Sequence, residues 1–404
     1  RTLIPTISPR IWTSIATGVV PERHGIEGFF VEAGAPDHVL PITGRSRKAY
    51  ALWETLGKAG RRVAIIGWYA TWPAERVNGV MISDHDNLEA SWRDQLAEDL
   101  ILTTMKRDER GRVISAETKR LYLDEPSLLK LRAKGRLAEP QGIEARVRGD
   151  YKRVSQIGPE DLARFGPVKG DTLAKALSHY KVKGHLLSVT ANGYVTDMNR
   201  TRMAVALWQQ EKPDFLAVYL PGLDGVEHYG WKYLHPEGFP VQREELEQYR
   251  SFIPAYYRYV DELLGKLLQG VDSRTIVIVL SDHGHMAELP EFRAASVGPT
   301  LRSGQHVDGP PGILVLSGGP IKEHHDISKA SVLDIAPTVS YLLGAPVAED
   351  LDGKVLADAL HESYLRHHPI RLVPSYGVRG VSKPIPSHVD EAYADQLRAL
   401  GYIR

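Results

Sequence analysis

Short apolar runs alternate along the chain with longer segments of helical period. That alternation predicts an α/β fold, a mostly parallel sheet covered by helices on both faces. The runs are RRVAIIGWY (61–69), GVMIS (79–83), DFLAVYL (214–220), TIVIVL (275–280) and GILVL (312–316). Helical patterns lie between them: IWTSIATG from residue 11, AYALWETLGKAG (49–60), TRMAVALWQQ (201–210), AYYRYVDELLGKLLQ (255–269) and SVLDIAPTVSYLLG (331–344). The second of these ends at a glycine stop signal. Pro337 inside the last one predicts a kink or break.

Residues 88–195 read differently. They are charge-rich and helix-prone and lack strong strand runs, as in KRDERGRVISAETKRLYLDEPSLLKLRAKGR. The expectation is an inserted helical cap over 88–195, or alternatively a solvated helical appendage, with a core made of 1–87 and 196–404. The tail beyond about 365 is punctuated by proline and predicts a short terminal helix at EAYADQLRALGY.

Composition narrows the function classes. Among 404 residues, Lys+Arg and Asp+Glu both total 50, so no basic excess points to a nucleic-acid duplex as partner. Hydrophobic residues at 43% and charged residues at 25% fit an ordinary globular chain. No apolar run reaches the roughly 18 residues that a membrane-spanning helix needs. Cysteine is absent, which excludes disulfides and thiolate chemistry and leaves the compartment open. Arg1 leads straight into TLIPTISP, so the chain is expected to be a fragment whose natural start lies upstream.

The chemistry sits where strands should end. Asp224 and His228 follow DFLAVYL, Asp282 and His283 follow TIVIVL, and His306 lies in GQHVDG just before GILVL. Ligand sites of α/β sheets collect at the carboxyl ends of strands. His and carboxylate donors suit zinc or manganese, and a pair of such sites suits phosphoryl or sulfuryl transfer. In TISPRIWTSIATG, Ser8 stands before a helix whose N-terminus favours an anion, with Thr6 as a competing hydroxyl. Taken alone, Ser8 reads more simply as a helix N-cap. Asp84, His85 and Asp86 in SDHD imitate the later SDHGH and are read as decoys. His285, His235, His324 and His325 are read as surface residues or as supports for ligands.

In these segments the sequence resembles the alkaline phosphatase superfamily, in its type I phosphodiesterase/nucleotide pyrophosphatase branch. PTISPRIWTSIATGVVPERHGI is similar to that family's nucleophile segment, and Thr17-Gly18 then selects Ser8 over Thr6. VNGVMISD, LDGVEH, SDHG, GQH and LDIAPT follow in the family's order. The resemblance implies an alkaline phosphatase-like fold and two divalent ions, zinc or alternatively manganese. Asp224, His228 and His306 would hold one ion; Asp282, His283 and Ser8 would hold the other. It implies a phosphoserine at Ser8 and a small phosphate ester as substrate; the location stays unknown, with the resemblance favouring an extracytoplasmic one.

Two departures go with it. The family's remaining ligand, an Asp closing a first strand, would lie upstream of Arg1, so a strand and a carboxylate are expected to be missing. Where nucleotide-cleaving members have Asn, this chain has Phe29, and Phe29 with Phe30 is expected either to wall the site or to pack in the core. The rival functions are sulfatase, phospho-group transferase or mutase, and a binding protein that keeps the fold. The sulfatase maturation motif fails, because Pro9 follows Ser8 directly and Trp12 stands where arginine is required.

Overall fold

A computed structural model describes residues 1–32, 38–85, 100–107, 113–123, 138–147, 149–178, 185–288, 302–307, 309–327 and 329–380. Strands Val63–Ile66, Gly79–Ile82 and Phe215–Val218 form a parallel set with Val63–Ile66 in the middle. The short strand Ala138–Glu139 adds antiparallel to Gly79–Ile82. All four residues of Val63–Ile66 are buried, which explains why that strand is apolar throughout rather than alternating.

The period of two still decides what each residue touches. Val63, Ile65 and Met81 face one core with Ile11 and Ile15 of helix Ser8–Thr17, Leu56 of helix Leu52–Lys58, and Ile335 and Val339 of helix Ile335–Leu342. Ala64, Ile66, Val80 and Ile82 face the other core with Met203, Ala204 and Leu207 of the long helix Leu186–Glu211. The result is a sheet between two helical layers, an α/β fold.

Strands Val277–Leu280 and Leu314–Ser317 pair antiparallel with each other, against the parallel expectation for these runs. Ile278, Leu280 and Leu314 pack on the same core as Val63 and Ile65, so this pair extends the layer that the main sheet begins. Pro337 does not kink its helix. The helix starts at Ile335 after a 3₁₀ turn over Val332–Asp334, so Pro337 falls in the first turn, where no intrahelical N–H is required.

The insert, read as helix-prone and without strong strand runs, contains strands. Leu100–Arg107 and Val113–Leu123 form a long antiparallel ladder. Val113–Leu123 also pairs parallel with His38–Pro41, which pairs in turn with Phe30–Glu32. The β-branched and aromatic content of VISAETKRLYL outweighs the helical signal of its charges. Helix Leu186–Glu211 runs unbroken through the expected boundary at 195. Leu162, Phe165 and Leu173 of the same insert pack with Val226, Phe252 and Tyr256, in the core beneath helices Gly222–Leu234 and Phe252–Leu268. Phe29 is buried in the main core and Phe30 packs against it. Asp86 and the terminal segment EAYADQLRALGY lie outside the described residues.

Candidate metal centre

Helix Gly222–Leu234 begins just after strand Phe215–Val218 and carries Asp224 in its first turn and His228 one turn later. The spacing of four places both on one helical face. Gly222 makes this start possible. A Cβ there would meet Tyr256 Oη at 1.8 Å and Asp197 Oδ2 at 2.6 Å. Asp197 is fully buried, accepts hydrogen bonds from the Gly222 N–H at 3.2 Å and Tyr256 Oη at 2.8 Å, and is pushed up to about 7 by burial.

Strand Gly304–Gln305 lies antiparallel to Met286–Ala287, with Met286 opposite Gln305 and Ala287 opposite Gly304. One step further, this register sets His285 against His306. The ladder sits tightly on the Asp224 helix, since a Cβ on Gly304 would come within 2.4 Å of Glu227 O.

Four donors converge there. His228 Nε2, His285 Nε2 and His306 Nε2 lie 3.6, 3.4 and 3.8 Å from Asp224 Oδ1. One ligand atom from each of Asp224, His228, His285 and His306 falls within 4.8 Å of all the others. Each imidazole is oriented through its far nitrogen. His306 Nδ1 donates to Thr6 O at 2.8 Å, His228 Nδ1 to Gly304 O at 2.9 Å, and His285 Nδ1 to Glu227 Oε2 at 2.9 Å. This pattern leaves the Nε2 lone pairs facing the carboxylate.

Arg302 also reaches the ring of His228, with Nη2 2.7 Å from Nδ1. One nitrogen cannot both donate to Gly304 and accept from a guanidinium. With the proton directed at Gly304, Arg302 lies against the ring as a neighbouring cation. Burial first and then Arg302 hold His228 well below the ordinary histidine range. Burial, then His283 and His285, do the same for His306. Both rings are therefore neutral and able to act as ligands at neutral pH.

Asp282 and His283 follow strand Val277–Leu280 in the loop beside this cluster. His283 Nε2 lies 3.4 Å from Asp282 Oδ2, and its ring stacks on His306 at 3.8 Å between centroids. Burial raises Asp282 above the usual carboxylate range, the Asp224 charge adds to this, and His283 and Ser8 oppose it. Ser8 Oγ is 3.3 Å from His283 Nε2. Ser8 occupies the first turn of its helix and Ile7 is the N-cap, with no side-chain capping bond. The capping role that Ser8 suggests in sequence therefore does not occupy its hydroxyl. Thr6 is committed elsewhere, because its Oγ1 donates to His306 O.

Asp84 and His85 have partners of their own. Asp84 accepts from the Ala70 N–H at 3.0 Å and is pushed up to about 6 by burial, while His85 stacks on Trp72. His325 pairs with Asp358 at 3.2 Å, and His235 ends the Asp224 helix. His285 was read in the sequence as a surface residue or a support for ligands, and here it stands within the cluster. Its place depends on a strand register that the string DHGHMAE does not announce. Arg302 and Tyr69 carried no motif either. Tyr69 is buried, and burial together with Asp224 and Asp282 raises its phenol, so it stays neutral beside two carboxylates.

Comparisons with known proteins found several that this chain is similar to. Over 179 residues the chain is 25% identical to GPI ethanolamine phosphate transferase 2 of Kluyveromyces lactis, covering 41% of this chain and 20% of that protein. Over 136 residues it is 28% identical to arylsulfatase K of Homo sapiens, covering 32% of this chain and 24% of that protein. The chain thus spans about a fifth to a quarter of the length of these relatives. A similar solved structure is a mutant of alkaline phosphatase PafA, at 14% identity and a TM-score of 0.44, covering 89% of this chain and 90% of that one. The family model for type I phosphodiesterase/nucleotide pyrophosphatase matches residues 1–334, a span that contains every residue of the site. The chain belongs to the type I phosphodiesterase/nucleotide pyrophosphatase family.

Proposed function

We propose that the chain is a metal-dependent phosphoric ester hydrolase, a phosphodiesterase or phosphatase working through a phosphoserine at Ser8. One juxtaposition carries the reading. The Ser8 hydroxyl lies 3.3 Å from His283, and His283 stacks on His306 of the Asp224 cluster. A nucleophile thus borders two adjoining sets of His and Asp donors.

The donor set fits divalent ions such as zinc or manganese. Asp282 Oδ2 and His285 Nε2 are buried atoms without a hydrogen-bond partner among the described residues, and nitrogen lone pairs face a carboxylate oxygen. Asp224, His228 and His306 would hold one ion; Asp282, His283 and Ser8 would hold the other. When bound, such ions lower the pKa of a hydroxyl and offset charge on phosphoryl oxygens.

Ser8, having lost its proton to solvent, attacks phosphorus from the side opposite the leaving alcohol. The Ser8 Oγ–P bond forms as the P–O bond to that alcohol breaks, and the departing oxygen takes a proton from water. Water then attacks the phosphoserine, releasing the phosphoryl product and restoring Ser8. The first-turn N–H groups of helix Ser8–Thr17 and the Arg302 guanidinium supply positive potential for the anionic substrate.

Transfer to an alcohol instead of water is the second reading, favoured by the stretch shared with a protein named as an ethanolamine phosphate transferase. The decisive assay combines metal analysis with turnover of bis(p-nitrophenyl) phosphate and p-nitrophenyl sulfate, with and without added ethanolamine. The proposal expects zinc-dependent release from the phosphate ester and little from the sulfate. An ethanolamine phosphate product would establish the transferase reading. Sulfate-only turnover, or none by metal-loaded protein, would overturn both.

A further inference from the structure

His285 has no task in the proposed mechanism, yet it is one of the most completely oriented side chains of the site. Its side chain is 3% exposed, its Nδ1 faces Glu227 Oε2 at 2.9 Å, and the other Glu227 oxygen accepts from Tyr257 Oη at 2.9 Å. A carboxylate at Nδ1 selects the tautomer with its proton there, which leaves the lone pair on Nε2. That Nε2 has no hydrogen-bond partner among the described residues and lies 3.4 Å from Asp224 Oδ1.

A lone pair and an anionic oxygen at this distance repel unless a cation lies between them. The separations have the size such a cation requires. Four donors held tetrahedrally about 2.0–2.1 Å from one ion stand about 3.3 Å from each other. The three Nε2 atoms stand 3.4, 3.6 and 3.8 Å from Asp224 Oδ1.

We infer that His285 is a fourth protein ligand of the ion held by Asp224, His228 and His306, with Glu227 and Tyr257 as the chain that orients it. This rests on the proposed reading that an ion is held there. Three protein ligands leave a zinc ion an open position, whereas four protein ligands close it. His285 therefore makes the resting site an Asp–His₃ set, and a substrate oxygen enters either as a fifth ligand or by displacing His285. The competing arrangement is an imidazolium bridging Glu227 and Asp224, with His285 acting as a proton donor and not as a ligand.

Cobalt(II) separates the two arrangements. Metal-free protein is titrated with Co(II) and followed by visible absorption. The wild type is expected to show the intense bands of four-coordinate Co(II). His285→Ala should show weaker bands and bind Co(II) about 10–100-fold less tightly, and Glu227→Gln about 10-fold less tightly. Proton NMR of the wild type at one Co(II) per chain needs no variant to fold. It should show an exchangeable, hyperfine-shifted N–H signal for each of His228, His285 and His306. If the wild type binds no Co(II) at Asp224, the proposed function itself fails. If the wild type binds, but His285→Ala keeps the same affinity and spectrum, or the folded wild type lacks the His285 signal, His285 is not a ligand and only this inference is overturned.

Discussion

The Asp224 side of the site and the Asp282 side are organised differently. On the Asp224 side, a helix supplies Asp224 and His228 and a two-stranded ladder supplies His285 and His306. Every imidazole there is held through Nδ1 by a carbonyl or carboxylate oxygen. On the Asp282 side, Asp282 and His283 are neighbours in one loop, and the third donor is a serine from a distant helix. His283 Nδ1 has no hydrogen-bond partner among the described residues. Ligands held by outer hydrogen bonds lose less freedom on binding and hold metal more tightly. The contrast fits a division of labour under the proposed function, with a pre-set binding position beside a looser position that contains the hydroxyl proposed to react.

The largest effect should come from the hydroxyl proposed as nucleophile. Ser8→Ala is expected to lower turnover by on the order of 10⁵-fold while the Asp224 side keeps its metal, measured by initial rates alongside metal analysis. Thr6→Ala should cost less than about 10-fold, because it removes only a bond to the His306 carbonyl. Should Thr6→Ala be the more damaging, the two hydroxyls have been assigned the wrong way round.

Next in size is the split between the two sides. At limiting free zinc, His228→Ala should lose the tighter-bound ion and Asp282→Asn the weaker. Isothermal titration of each variant reads this directly, with a shift of about 10-fold or more in the affected step. A loss of the tighter step in Asp282→Asn would reverse the contrast.

The smallest effect concerns how the helix of Ser8 is anchored. His24 is buried, lies 2.9 Å from Ser14 Oγ on that helix, and accepts from the Ile26 N–H at 3.2 Å. Burial first and then the Arg47 charge push it down from 6.5 to about 3. Between those two values the unfolded chain binds a proton that the folded chain refuses. His24 therefore contributes fully above about pH 6.5, and stability falls with acidification by up to about 1.4 kcal/mol per pH unit. His24→Gln should flatten that limb in urea denaturation at pH 4 to 7. An unchanged slope would remove His24 as its source.

How much of this was legible in the sequence depended on how local each signal was. The strands Val63–Ile66, Gly79–Ile82 and Phe215–Val218 are apolar because both faces are covered, and such runs announce themselves. Asp224, His228 and His306 could be grouped because each follows or precedes such a run, and they lie together. The ladder at 100–123 was hidden, because its charged residues imitate a solvated helix. His285 was hidden for another reason: its partner is His306, across a register that only the folded chain sets. Ser8 lay between the two cases. Its motif was visible, but a serine beside a helix start reads equally as a cap until Ile7 is seen to take that position.

Zinc-edge anomalous diffraction from crystals equilibrated with zinc tests the central claim most directly, because it locates ions without reference to activity. The account predicts a strong peak about 2 Å from Asp224 Oδ1 and from the Nε2 atoms of His228 and His306. A second, weaker peak should lie beside Asp282, His283 and Ser8 Oγ. A map with no peak at Asp224, or with the stronger peak at Asp282, would contradict it.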